Sequence, residues 1–303
     1  MTMKLAITFP IGDGNLLSSS LPENDHPVWD AGVAYAEFDK VIKGHVRYEA
    51  LQASTGEDPS LDTQKLYWLP LGATNRWRAF DKFISDPVIG VAGEAIQYQL
   101  GPIGEPVSVV SCLGLDATEV TLTGTLPDNR VIYDKTISLR DNSMIIDAWT
   151  YCFEPIRARS EAVFNEIPPY ALANYELTIS AGGDTPKVGQ IVLGREYDIG
   201  DAKFGTSFGI EDYSSVQRDD YGSLSIVERP FAKIVDYRCV LPADHGRRVA
   251  IVLEENRARP VLVFAGDDSD IIGVTAYGKL GDWRINTVDS IDSELKMKVE
   301  GLT

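Results

Sequence analysis

Glu119-Val-Thr-Leu-Thr123, the turn Leu126-Pro-Asp-Asn-Arg130 and Val131-Ile-Tyr133 decide the reading of this chain. Val, Thr, Leu, Ile and Tyr suit a pleated, half-buried strand. Proline presets φ for a reversal, and aspartate and asparagine bond their own backbone within it. The same grammar repeats on both sides. Val107-Ser-Val-Val110, Met144-Ile-Ile-Asp-Ala-Trp149, Tyr175-Glu-Leu-Thr-Ile-Ser180 and Gly189-Gln-Ile-Val-Leu193 are short β-branched or aromatic runs separated by Gly, Pro, Asn and Asp. This spacing predicts a jelly-roll-like β-sandwich over residues 82–194.

Towards the C-terminus the pattern changes after Arg195. Phe208 to Tyr213 and Leu224 to Val227 flank Arg218-Asp-Asp-Tyr-Gly-Ser223, where Gly222 can take a positive φ, so a hairpin is expected there. Asp244 to Arg257 carries Val249, Val252 and Leu253 at helical spacing, with Asp244 available as a first-turn acid or cap and Pro260 beyond the end. It is the one helix the sequence predicts. Val261–Ala265, Gly273–Tyr277, Trp283–Val288 and Leu295–Val299 read as further strands, making residues 195–303 an α+β assembly domain.

Towards the N-terminus, Trp29, Tyr35, Phe38, Val41, Tyr48, Leu51 and Trp68 crowd an interval that also holds Gly32, Gly44, Gly56 and Pro59. That is too little aliphatic material for a large core and predicts a small aromatic-cored module over 28–72. Residues 1–27 then form an N-terminal extension and 73–81 a junction. The expected fold class is mainly β, with this module, the sandwich and the α+β domain in series.

Acidic residues outnumber basic ones by 45 to 28, a net charge of −17, which opposes binding to nucleic acid or to an anionic membrane surface. No run approaches the length a membrane helix needs, and Met1 to Pro10 lacks the features of a signal peptide, so membrane insertion is not expected and synthesis is expected in the cytoplasm. Cys112, Cys152 and Cys239 lie far apart without metal-ligand spacing and read as reduced, buried small hydrophobes.

The chain has no phosphate-cradling loop and no H-E-x-x-H, and His26, His45 and His245 fall in three different regions without metal-ligand spacing. Glu57 with Asp58, Asp219 with Asp220, and Asp267, Asp268 and Asp270 sit beside Gly, Pro or Ser in expected turns. They read as solvated loops rather than as a hydrolytic pair or a calcium loop. No metal, cofactor or catalytic residue is expected. Asn75-Arg-Trp-Arg-Ala-Phe-Asp81 is the densest polar-aromatic cluster. Asn75, Arg76, Trp77 and Arg78 read as a junction or interface, with Trp77 and Phe80 buried and the arginines paired to neighbouring acids.

Three stretches of the chain carry a family resemblance. In the first, Val28-Trp-Asp-Ala-Gly-Val-Ala-Tyr35, Val41, Tyr48-Glu-Ala50, Gly56-Glu-Asp-Pro59 and Trp68 follow the order of small chitin-binding modules. The second is Leu71-Gly-Ala-Thr-Asn-Arg-Trp-Arg-Ala-Phe-Asp81. The third comprises Ile191-Val-Leu-Gly-Arg195, Phe208-Gly-Ile-Glu-Asp-Tyr-Ser214, Glu228-Arg-Pro-Phe-Ala-Lys233 and Val299-Glu-Gly-Leu302. Together the three resemble a family of tailed-bacteriophage virion or tail structural proteins, and the resemblance covers almost the whole chain. It implies a non-enzymatic tail-tip or baseplate component, located in the virion, whose partners are further copies of itself and other phage tail proteins. Two other roles stay open, a carbohydrate-binding adaptor for host-surface glycan and, through an acidic pair, a tail-associated glycan hydrolase. Trp29, Tyr35, Tyr48 and Trp68 are its implied carbohydrate-binding residues. The chitin-binding modules carry adjacent exposed aromatics after Tyr-x-Ala, however, and here Gln52 and Ala53 stand in their place. The resemblance therefore implies the module's fold, with Trp29, Tyr48 and Trp68 as core, more than its sugar contacts.

Overall fold

The computed structural model describes residues 1–142, 145–155, 157–218, 222–266, 274–287 and 292–303. The chain is mainly β, as its patterning predicts, and the described residues include two α-helices, Ala148–Phe153 (α1) and Gly246–Glu255 (α2). Its largest sheet has nine strands in the order Glu161–Phe164, Val109–Leu113, Gln190–Ala202, Thr2–Phe9, Pro260–Ala265, Ala276–Thr287, Asp292–Gly301, Phe231–Pro242 and Ser207–Asp212. Gln190–Ala202 also pairs with Phe231–Pro242, placing Asp201 opposite Val240 and Ala202 opposite Cys239. Six antiparallel strands therefore close into a ring, from Gln190–Ala202 round to Phe231–Pro242. The closure depends on Gly200, whose φ is +98° and where a Cβ would lie 2.3 Å from the Val240 carbonyl oxygen.

Alternation along these strands fills the ring. Met3 and Leu5, Val261 and Val263, Leu295, Met297 and Val299, and Val235, Tyr237, Cys239 and Leu241 all point into one buried cluster. Helix α2 adds Val249, Val252 and Leu253, one stripe at i, i+3 and i+4. Its N-cap is His245 without a side-chain cap bond, so Asp244, which precedes the cap, is neither the expected cap nor the expected first-turn acid.

The sandwich is present as well. A five-stranded sheet, in the order Val131–Ser138, Glu119–Thr125, Asn174–Ser180, Ile96–Leu100 and Leu16–Ser19, packs on one end of the large sheet. Val120, Leu122, Leu177, Ile179, Tyr98 and Leu100 meet Val110, Cys112, Ile191 and Leu193 in a second core. Burying each such side chain contributes roughly 1.5–3 kcal/mol before entropy is counted.

Four sequence expectations change. The extension 1–27 is no appendage, because Thr2–Phe9 is laddered on both edges inside the ring and Leu16–Ser19 edges the sandwich. The expected boundary at 194/195 falls inside the strand Gln190–Ala202, whose Leu193 serves the sandwich core and whose Ile199 serves the ring. Gly273–Tyr277 and Trp283–Val288 were expected as separate strands. Ala276–Thr287 is continuous, with a register shift between Leu280 and Trp283, while Gly273 and Val288 lie outside the described residues. Within Met144–Trp149, expected as a strand, residues 145–147 are not strand, α1 begins at Ala148, and Met144 lies outside the described residues.

The small module is a three-stranded sheet of Lys40–Lys43, Val46–Ala50 and Trp68–Ala73. Its first hairpin turns through Gly44 and His45, with φ of 56° and 66°, as a tight two-residue reversal requires.

Candidate assembly surface

Among the described residues, the largest group of exposed apolar side chains lies on an arm, residues 204–231, between two ring strands. Ser207–Asp212 pairs with the start of Phe231–Pro242, Phe208 opposite Val235, Ile210 opposite Lys233 and Asp212 opposite Phe231. Beyond it, Ser215–Arg218 and Leu224–Val227 form a hairpin, with Val216 opposite Ile226 and Arg218 opposite Leu224. This agrees with the expected hairpin, except that Leu224–Val227 pairs with Ser215–Arg218 rather than with Phe208–Tyr213. Asp219, Asp220 and Tyr221 lie outside the described residues.

Phe204, Phe208, Ile210, Tyr213, Val216, Leu224, Ile226, Val227 and Phe231 are all exposed, Phe204 completely and Ile226 at 65%. Phe208, Ile210 and Phe231 share a face with Val235, which is fully buried in the ring. The arm thus continues the ring's inner face past the point where the chain itself covers it. Nine such side chains present roughly 1,000 Å² of apolar surface. At about 25 cal/mol per Å² this is on the order of 25 kcal/mol of gross burial, before the costs of association. Among the described residues the outer edge of Ser207–Asp212 has no ladder partner, which leaves its backbone groups free to pair with another chain.

A second apolar protrusion leaves the sandwich above the two-residue ladder Arg140–Asp141 with Arg157–Ala158. Its helix α1 buries none of its residues, and Ile146, Trp149, Tyr151 and Phe153 are exposed. Local bonds hold it. The Asp147 carboxylate accepts the Thr150 N–H at 2.7 Å, the Thr150 hydroxyl accepts the Asp147 N–H at 3.0 Å, and Trp149 stacks on Phe153 at 4.2 Å. The spacing Asp147-x-x-Thr150 with Trp149 and Phe153 four apart is the signal that separates this helix from a strand. Cys152 lies here and is exposed, contrary to the expectation for all three cysteines. Cys112 and Cys239 are buried, and burial pushes both thiols up to about 12.

The module's four aromatic candidates come together. Trp68, 1% exposed, donates its indole N–H to the Glu57 carbonyl at 2.9 Å, and Tyr35 meets its ring edge-on at 5.3 Å. Trp29 and Tyr48 are half-buried beside them, and the Lys43 ammonium sits 3.8 Å from the Trp29 ring centroid. That lysine occupies one ring face on which a sugar would stack. Asp58 binds Lys43 and accepts from the Ser60 hydroxyl at 2.7 Å, and these hydrogen bonds, the lysine's first, hold its carboxyl below the usual range. Asp267, Asp268 and Asp270 lie outside the described residues.

The junction is structural in its contacts. Asn75 exchanges two hydrogen bonds with the Ile89 backbone and donates its own N–H to Asp25. Trp77 lies 4.4 Å from the His45 ring and meets Phe80 edge-on, and Phe80 in turn meets Tyr98. His45 nitrogens lie 2.7 Å from Asp13 and 2.8 Å from Glu23. Arg78 pairs with Asp86 at 3.2 Å as expected, whereas Arg76 has no ion-pair partner among the described residues and its carbonyl accepts from the Tyr98 hydroxyl; Trp77 and Phe80 are half-buried rather than buried. These contacts fasten the module to the sandwich.

No cluster of three His, Cys, Asp or Glu side chains suited to a metal occurs among the described residues. No protein-family model and no curated protein matches the sequence.

Proposed function

We propose that this chain is a structural subunit of a bacteriophage tail tip or baseplate, assembling into a ring or hub through contacts with further copies of itself and with other tail proteins. The observation that carries the assembly part is the arm, whose nine exposed apolar side chains and unpaired strand edge match what a partner chain covers. A heterologous contact of this kind repeats around a closed ring when its rotation closes. The phage part rests on the three sequence stretches that resemble tail proteins.

Sedimentation of the full chain over a wide concentration range tests the proposal, with the Phe208→Ser/Ile226→Ser variant alongside. The expected result is a defined oligomer that the variant loses without unfolding. A wild-type chain that stays monomeric at hundreds of micromolar, and that locates nowhere in a tailed virion by electron cryomicroscopy, overturns it. Glycan-array binding would assign the module an adaptor role instead, and sugar release from host envelopes a hydrolytic one.

A further inference from the structure

His45 is held from two sides by carboxylates that belong to other parts of the chain. It sits at the tip of the module's first hairpin, where its carbonyl accepts the Thr74 N–H. Its Nε2 lies 2.7 Å from Asp13, in the turn Gly12–Asn15 between the ring strand Thr2–Phe9 and the sandwich strand Leu16–Ser19. Its Nδ1 lies 2.8 and 3.0 Å from the two oxygens of Glu23, and Glu23 Oε1 also accepts from the Thr74 hydroxyl at 2.8 Å. Trp77, packed on the sandwich core, stands 4.4 Å from the imidazole.

An ionised carboxylate can only accept, so each contact is a hydrogen bond only when the nitrogen facing it carries a proton. Both hold together only in the charged imidazolium, which the indole beside it also favours. A neutral imidazole has one N–H. Glu23 is the more sheltered of the two acids and keeps that bond, and the lone pair then turns on Asp13. We propose that His45 is a proton-operated latch between the N-terminal segment and the small module. Charged, it clamps the Gly12–Asn15 turn to the hairpin; neutral, it releases the turn. An imidazole changes charge between about pH 5 and 8. The closed latch holds the proton, so it is shut at the acid end of that range and opens as pH rises through it. The other charged groups at this seam are Asp25, which accepts the Asn75 N–H, the pairs that Asp86 makes with Arg47 and Arg78, and Arg76. Carboxylates and guanidinium groups ordinarily keep their charge over that range. Asp81 is the exception, its carboxyl raised by burial to about 6. The latch does not depend on the assembly reading.

Hydrogen exchange of the full chain, corrected for the intrinsic effect of pH, reads the latch at the Asn15 and Leu16 amides, which bond the Gly12 carbonyl. Every protein in the series carries Asp81→Asn, so that Asp81 adds no slope. With His45 present, protection of these amides should fall about fivefold between about pH 5.5 and about pH 8. Asparagine tolerates the positive φ of 66° at this position, and His45→Asn should be open at both pH values. His45→Arg keeps its charge, can reach both carboxylates with its fork of N–H donors, and should be closed at both. Protection that is independent of pH in the His45 chain, or a pH response that persists in His45→Asn or His45→Arg, overturns the latch. The chain has three histidines, so the His45 imidazole can be followed directly by NMR without a substitution at that site. An imidazole that keeps one charge state from about pH 5 to 8 overturns it as well.

Discussion

The ring and the arm share a strand and differ in what covers it. In Phe231–Pro242, Val235, Tyr237, Cys239 and Leu241 are sealed by five other strands and α2, whereas Phe231 at the arm end is exposed. Across the ladder, Phe208 and Ile210 alternate as regularly as the ring residues do, yet nothing described here lies over them. Alternation decides which side chains share a face. A covering layer decides whether that face is core or interface, and that layer is supplied either by the chain itself or by another molecule.

The comparison breaks first, if it breaks, in the smallest sealed region. The module's core is little more than Val41, Ala50 and Trp68 with four half-buried aromatics, so Trp68→Ala should cost about 3–5 kcal/mol and unfold it. Hydrogen exchange should show residues 28–72 losing protection while the five-stranded sheet keeps its own. Full protection in the variant would place Trp68 outside the core.

A paired substitution sharpens the contrast between ring and arm. Leu5→Ala removes a fully buried side chain from the ring and should cost about 3 kcal/mol, whereas Ile226→Ala on the arm should change monomer stability by less than about 0.5 kcal/mol. Denaturant unfolding at a concentration low enough to keep the chain monomeric measures both. Equal costs would mean that the arm packs on its own chain.

The smallest effect concerns charge on the sealed side. Burial raises the Asp81 carboxyl from 3.8 to about 6, with Asp86 adding to the shift. Because the folded state then holds this proton more tightly than the unfolded chain, stability falls as pH rises from about 4 to about 6 and stays reduced above that. Asp81→Asn retains an acceptor for the Phe83 N–H and lacks this slope. It should match wild type below pH 4 and exceed it by about 1 kcal/mol at pH 7.5, a figure already reduced for the solvent around a half-buried group. A variant less stable at pH 7.5 would show that the carboxylate is needed as such.

Much of this molecule was legible in one dimension wherever a local pattern and its partner lie close together in sequence. Glu119–Thr125 pairs with Val131–Ser138 across a short proline-containing turn, α2 announces itself by Val249, Val252 and Leu253, and the crowded aromatics before Trp68 form their own small core. In each case the residues that form the element also hold most of its partners. Tertiary structure alone decided three things. It placed Thr2–Phe9 between strands about 190 and 260 residues away, it ran one strand through the expected boundary at 194/195, and it left the arm's apolar face uncovered. The physical reason is common to all three. A strand's side-chain period fixes which residues point the same way, but its hydrogen-bond partner and its covering layer are non-local, and neither leaves a mark in the strand's own sequence.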